Sequence, residues 1–205
     1  MIGELSQESR HLDLGCGGMP RNPFQAKNLY GVDLKLRPSV IGSEVTLVEA
    51  NIVSAGIPFP DSFFDSVSAY DFLEHVPRVA ENCAHGSFPF VQLMSEIHRV
   101  LKPGGRFLAL TPVYPQEAAF SDPTHVNFIT RETYKYFTEP NVWAKMYGFT
   151  GSFKLVKNKV VNIEVFSSTQ SSTWKRILRV AMASLTPSKK VHLVWEFICL
   201  KSSNM

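Results

Sequence analysis

The chain has 205 residues, 44% of them hydrophobic and 19% charged, with a formal net charge of +3. That is enough apolar chain to bury one sizeable core, and a single domain over 1–205 is expected. Three cysteines without metal-ligand spacing exclude a disulfide framework and a cysteine zinc site; no signal-peptide pattern or membrane-length apolar run is present, so a cytoplasmic protein is expected.

The first element is the apolar stretch Leu12–Leu14, which runs into Gly15, Cys16, Gly17 and Gly18 as a buried parallel strand does when it ends in a tight turn. Glycines there let a ligand approach the main chain closely, and Cys16 between them reads as a small filler. A second strand, Leu29 to Val32, ends in Asp33, a carboxylate placed to accept from ribose hydroxyls. Together the two signals predict an adenosine-containing cofactor across the carboxyl ends of adjacent strands. A dinucleotide fingerprint would carry a third glycine and a phosphate-binding helix. Here Pro20 and Pro23 follow instead, which suit a loop or a single helical turn.

Further along come Ile57-Pro58-Phe59-Pro60-Asp61-Ser62-Phe63-Phe64-Asp65, a fourth strand over Ser66–Tyr70, and Asp71-Phe72-Leu73-Glu74-His75-Val76. Ser95 to Arg106 (SEIHRVLKPGGR) reads as a helix ended by Gly104 and Gly105, followed by a fifth strand over Phe107–Thr111. In order and spacing these blocks resemble the class I S-adenosylmethionine-dependent methyltransferases of the type 11 domain, over about residues 10–150. The resemblance implies an α/β fold: a doubly wound, mostly parallel seven-stranded sheet with helices on both faces and the last strand antiparallel. Strands six and seven would be Phe153–Phe166 and Val191–Leu200. Pro112–Phe128 reads as a long functional loop, and Thr130–Phe137 and Asn141–Tyr147 as helices; 112–150 and 167–190 would be substrate-side or surface insertions.

The resemblance also assigns a cofactor, S-adenosylmethionine, and positions for it. Asp13, Gly15, Cys16 and Gly17 would lie against its methionine part and Asp33 against the ribose. Asn51 and Ile52 would meet the adenine, with Asp71 at the edge of the site. The family usually has an acid where Asn51 stands, and an Asn carbonyl still accepts a hydrogen bond.

Methyl transfer to a hydroxyl needs a base, and histidine suits neutral pH. His11, His85 and His98 read as structural or exposed. His125, within Asp122-Pro123-Thr124-His125-Val126-Asn127-Phe128, is the first candidate for the base and His75 the second, with Asp122, Tyr114 and Asp71 as weaker acceptor-pocket candidates. The bland alternative is that His125 only caps its loop. No metal is expected.

Residues 1–150 hold 12 Lys/Arg and 16 Asp/Glu, a balance of −4, whereas 151–205 hold 9 and 2, a balance of +7. A basic carboxyl-terminal third favours an anionic partner. Within it Trp174–Leu185 places Ile177, Leu178, Ala181, Met182 and Leu185 on one helical face with basic flanks, so residues 174–190 are a candidate for peripheral membrane contact. The Asp-Pro-Thr-His-Val block and the ending His192-Leu193-Val194-Trp195-Glu196-Phe197 resemble small bacterial methyltransferases associated with surface-polysaccharide synthesis. That resemblance implies a sugar or glycan acceptor, phosphorylated and lipid-linked if the basic third takes part, and no nucleic acid, since the base-methylating Pro-Pro run after strand four is missing. One alternative is a small aromatic or quinone-like acceptor; another is a cofactor-binding module without catalysis. Oligomeric state is not readable.

Overall fold

A computed structural model of the chain describes residues 8–37, 45–79, 88–162 and 191–201. Seven strands form one sheet in the order β3-β2-β1-β4-β5-β7-β6. They are β1 (Arg10–Leu14), β2 (Asn28–Asp33), β3 (Val45–Glu49), β4 (Phe64–Tyr70), β5 (Leu101–Pro112), β6 (Phe153–Asn162) and β7 (Val191–Cys199). The first five pair in parallel, with Leu12 opposite Tyr30 on one side and Val67 on the other. β7 runs antiparallel between β5 and β6, as the family resemblance implies.

Two consequences of this order position the site. The carboxyl ends of β1 to β5 lie along one edge, and chain direction across the sheet reverses between β1 and β4, where ligands bind in open α/β sheets. The loops after β1 and β4 therefore leave the sheet side by side.

Alternation along the strands divides the core. Leu12, Leu14, Val67, Ala69, Phe107 and Ala109 face one side, where a helix α1 (Pro89–Val100) buries Leu93, Met94, Ile97 and Val100 against them. The spacing of these four side chains is one helical face, and Pro89 at the first turn costs no hydrogen bond. Near the end of α1, Arg99 bonds Glu96, Asp61 and the carbonyls of Ile57 and Phe59, pinning the turn that leads into β4. The opposite side carries a smaller apolar cluster, Tyr70, Leu108, Leu110 and Val194, beside the buried polar side chains His11, Asp13, Ser66 and Ser68.

Several expected elements differ. α1 ends at Val100, before the Lys-Pro-Gly-Gly run. That run lies inside β5, where pairing with β4 is interrupted between Phe64 and Ser66 and Gly104 takes a φ of +75°. The two glycines thus form a bulge in the strand and do not end the helix. Thr130–Phe137 and Asn141–Tyr147 condense to 3-10 turns at Thr133–Tyr136 and Trp143–Tyr147. The proline-rich segment after Gly18 is loop and carries no helical turn. Helical cover among the described residues is accordingly thinner than expected, α1 being joined by one α-helical turn, α2 (Ala118–Ser121), and by 3-10 turns. The expected reach of strand six to Phe166, the Ser167–Thr173 joint, the Trp174–Leu185 helix, Cys83 and His85 lie outside the described residues. Among the described residues, no helix is long and apolar enough to cross a membrane.

Candidate active site

The glycine turn after β1 is stitched to β2. The amides of Gly15 and Cys16 donate to the Val32 carbonyl at 2.9 and 3.4 Å, and the Gly17 amide donates to Asp33 Oδ2 at 2.7 Å. Gly15 has a φ of +68°, and a Cβ there would stand 2.6 Å from the Phe72 ring. Gly18, at +100°, would put a Cβ 2.6 Å from the Arg37 carbonyl. Both positions require glycine for conformation and for space. The Cys16 sulfur packs over Gly31, as a filler does.

Beneath the turn, Asp13 is 1% exposed. Its Oδ2 accepts from the Arg21 amide at 2.8 Å and its Oδ1 from the Ser68 hydroxyl at 2.5 Å. Burial pushes its carboxyl up to about 6. Asp13 therefore holds the loop from below, with both oxygens engaged away from the crevice. The chain of bonds continues to His11, whose Nε2 and Nδ1 lie 2.9 and 2.8 Å from Ser68 and Ser66. Because the Ser68 hydroxyl donates to Asp13, it accepts from His11 Nε2–H, which leaves Nδ1 to accept from Ser66. Burial holds His11 neutral, down to about 3; like His98, which bonds the Leu200 carbonyl, it is structural.

Above the turn opens a crevice of about 700 Å³ lined by Gly15, Asp33, Asn51, Ile52, Phe72 and His75, among others. Asp33 sits at the mouth of β2, with Oδ1 accepting from the Lys35 amide at 3.2 Å. Two carboxylate oxygens with about four acceptor directions retain capacity for ribose hydroxyls. Asn51 Oδ1 accepts from the amides of Val53 and Ser54 at 3.2 and 3.3 Å, so its carbonyl shapes the turn after β3. Ile52 supplies an apolar wall.

A second cavity, about 480 Å³, adjoins at His75, which lines both. It is built by the loop after β5 docking on the turn after β4. The amides of Val126 and Asn127 donate to the Glu74 carbonyl, and the Asn127 side chain donates to the carbonyls of Leu73 and Val76. This brings His125 against His75, ring centroids 4.7 Å apart and edge to face. The segment read as a functional loop, Pro112–Phe128, supplies Pro112, Glu117, Ser121, Asp122 and His125 to this lining.

Tautomers follow from the partners. His75 Nδ1 is 2.8 Å from Thr124 Oγ1, whose hydroxyl donates to Asp122 Oδ1 at 2.6 Å, so Nδ1 carries the proton and donates. His125 Nδ1 lies 3.3 Å from the Ala119 carbonyl, which can only accept. Neutral, both rings keep their lone pair at Nε2. The loop-capping bond expected of a purely structural His125 is present, and it is also what orients the ring. Burial and the neighbouring His125 lower the His75 pKa. Burial raises Glu74 to about 7.

Three residues of this cavity stand apart from the sequence-based expectations. Asp71, placed at the cofactor edge by resemblance, lines the second cavity and bonds His192 Nε2 at 2.9 Å. His192, 121 positions away and unweighed as a functional residue, comes from β7. Glu74 is 2% exposed; its Oε2 accepts from Thr111 at 3.0 Å and its Oε1 has no partner. Adjacent Glu74-His75 was the available signal for it. The described lining carries four carboxylates (Asp71, Glu74, Glu117, Asp122) and no Lys or Arg. A phosphorylated acceptor, which the basic carboxyl-terminal third suggested, finds no counter-charge among these residues.

The match to known families falls on this frame. Residues 12–109 match the methyltransferase domain model. The fold is the Rossmann-like fold of class I methyltransferases. Among solved structures, a SAM-dependent methyltransferase from Methanosarcina mazei aligns with a TM-score of 0.53 at 15% identity, over 96% of this chain and 95% of that one. Phosphoethanolamine N-methyltransferase 2 of Haemonchus contortus, in complex with S-adenosyl-L-methionine, gives 0.53 at 18% identity over 98% and 50%. The cyclase SpnF gives 0.55 at 16% identity, over 96% and 76%. Curated relatives include sterol 4-C-methyltransferase strm-1 of Caenorhabditis elegans, 35% identical over 51% of this chain and 31% of that protein. Demethylmenaquinone methyltransferase of Anoxybacillus flavithermus is 29% identical over 57% and 50%. The chain thus spans from about a third to a half of these curated relatives. The matched stretch, just under half of the chain, holds the glycine turn, Asp33 and the residues that line the crevice.

Proposed function

We propose that the chain is an S-adenosylmethionine-dependent methyltransferase acting on a neutral hydroxyl, of the kind a sugar or glycan presents. The observation that carries the proposal is the junction at His75, where the nucleoside-sized crevice meets a separate cavity holding two oriented imidazoles. When bound, the cofactor supplies a methyl group already activated by its cationic sulfur.

The chain's own residues supply the rest. Asp33, fixed by the Gly17 amide, holds the ribose side, Ile52 and Asn51 flank the base, and Phe72 closes the crevice over Gly15. In the second cavity, Asp71, Glu117 and Asp122 accept from acceptor hydroxyls and disfavour anions. His125, seconded by His75, takes the proton of the reacting hydroxyl at Nε2 once that oxygen lies ~3 Å from the methyl carbon, in line with the S–C bond.

A second reading, methylation of a quinone- or sterol-like ring, is favoured by the names of the curated relatives. It is also favoured by Tyr114, Phe120 and Phe128, each about half exposed on the loop after β5 that supplies part of the cavity lining, with successive ring centroids 5.9 and 5.3 Å apart. Transfer of labelled methyl to parallel panels of neutral glycosides, phosphorylated glycans, hydroquinones and sterols separates the two. Label in the neutral glycosides supports the first reading. Label confined to hydroquinones or sterols supports the second, and label confined to phosphorylated acceptors contradicts both.

A further inference from the structure

Beside these imidazoles stands a buried carboxylate, Glu74, to which neither cofactor binding nor proton transfer gives a role. One carboxylate oxygen of Glu74 and one ring nitrogen each of His75 and His125 lie within 4.8 Å of one another. Glu74 Oε1 is closed to solvent and has no hydrogen-bond partner. A buried carboxylate oxygen left bare in this way is costly.

We propose that Glu74, His75 and His125 form a binding site for a divalent cation of the zinc type. Each residue is prepared for it. The Nδ1 protons of both imidazoles are donated outward, to Thr124 and to the Ala119 carbonyl. Metal-bound histidines almost always have their second nitrogen fixed in this way. The lone pairs left at Nε2 are what a borderline metal takes, and two imidazoles with one carboxylate make a three-ligand set that leaves a coordination position open. Thr111 fixes the other Glu74 oxygen, so Oε1 is held in place by a second-layer bond. The mixed nitrogen and oxygen set suits Zn²⁺ and not Mg²⁺, which prefers oxygen ligands and keeps its waters. All three residues line the same cavity as Asp71, Glu117 and His192. A cation there takes up both Nε2 lone pairs, so the imidazoles act as its ligands and the cation, in place of His125 as base, would favour the ionised form of the acceptor oxygen. The expectation of no metal rested on cysteine spacing and on the lack of an acidic ligand cluster in the sequence, and neither speaks to a site whose ligands come from two loops.

The test uses the full chain, stripped with a chelator, dialysed, and titrated with Zn²⁺ against a chromophoric competitor. Binding of one equivalent, weakened at least tenfold in Glu74→Gln and in His125→Ala, is expected. Co²⁺ should give the visible bands of a four- or five-coordinate site, lost in both variants. His75→Ala provides a third check if Glu74→Gln fails to fold. Binding well below one equivalent, or binding unchanged in the variants, overturns the proposal. None of these readouts needs methyl transfer, so the metal site and the methyltransferase reading can fail separately.

Discussion

The Gly17 amide donates to Asp33 Oδ2 at 2.7 Å, joining the bend after β1 to the acid that closes β2. One carboxylate thus fixes the glycine turn and faces the crevice. Asp33→Ala removes both functions. A hydrogen bond to a charged group contributes about 1.5–3 kcal/mol, so affinity for S-adenosylhomocysteine should fall ten- to a hundredfold by calorimetry. Asp33→Asn, which keeps one acceptor oxygen, should lose less. Equal affinity in wild type and Asp33→Ala would place the ribose elsewhere.

His125→Ala is expected to lower turnover about 10²-fold while the Kd for the cofactor stays near wild type, because the ring belongs to the second cavity. His75 lines both cavities, so His75→Ala should change turnover and cofactor affinity together. Single-turnover rates and calorimetry on both variants check the split; unchanged turnover at saturating acceptor would remove His125 from the mechanism.

The two obligatory glycines should fail differently. A left-handed φ costs a non-glycine residue about 1–2 kcal/mol, and each adds a clash. At Gly18 the clash is with backbone, the Arg37 carbonyl, so Gly18→Ala should lose stability in urea. At Gly15 it is with the Phe72 ring, which lines the crevice, so Gly15→Ala should lose cofactor affinity as well. The reverse ranking of cofactor affinities would contradict this geometry.

The His11–Ser68–Asp13 chain sets a pH signature. His11 titrates near 3 when folded, below its ordinary 6.5, so its contribution to stability is full above pH 6.5 and lost as pH falls toward 3. Asp13 titrates near 6 when folded, above its ordinary 3.8, so its contribution is full below pH 3.8 and lost as pH rises through 6. Between pH 4 and 6 the two slopes oppose. Asp13→Asn leaves the His11 slope uncompensated, and its Tm should drop more than that of wild type on going from pH 6.5 to 4.5. A smaller drop would mean that the buried pair is ionised.

What was legible in the sequence follows the range of the forces involved. Strands β1, β2 and β4 announce themselves because Leu12, Leu14, Val32, Val67 and Ala69 are buried in short runs bounded by turn residues. The glycine bend and Asp33 were legible for the same local reason. The Lys-Pro-Gly-Gly run misled, since a bulge inside a strand and a helix stop use the same residues. The Asp71–His192 bond, and the meeting of Glu74 and His75 with His125, depend on where β7 and the loop after β5 come to rest, which no local pattern encodes. Fold alone does not fix the chemistry either, as the similarity to a cyclase illustrates.

The most direct test of the account is a crystal of the protein grown with S-adenosylhomocysteine. Its ribose should lie against Asp33, with the adenine along Asn51 and Ile52 and the sulfur toward His75. An unliganded crevice at saturating concentration, or a nucleoside seated away from the bend at Gly15–Gly17, would contradict it.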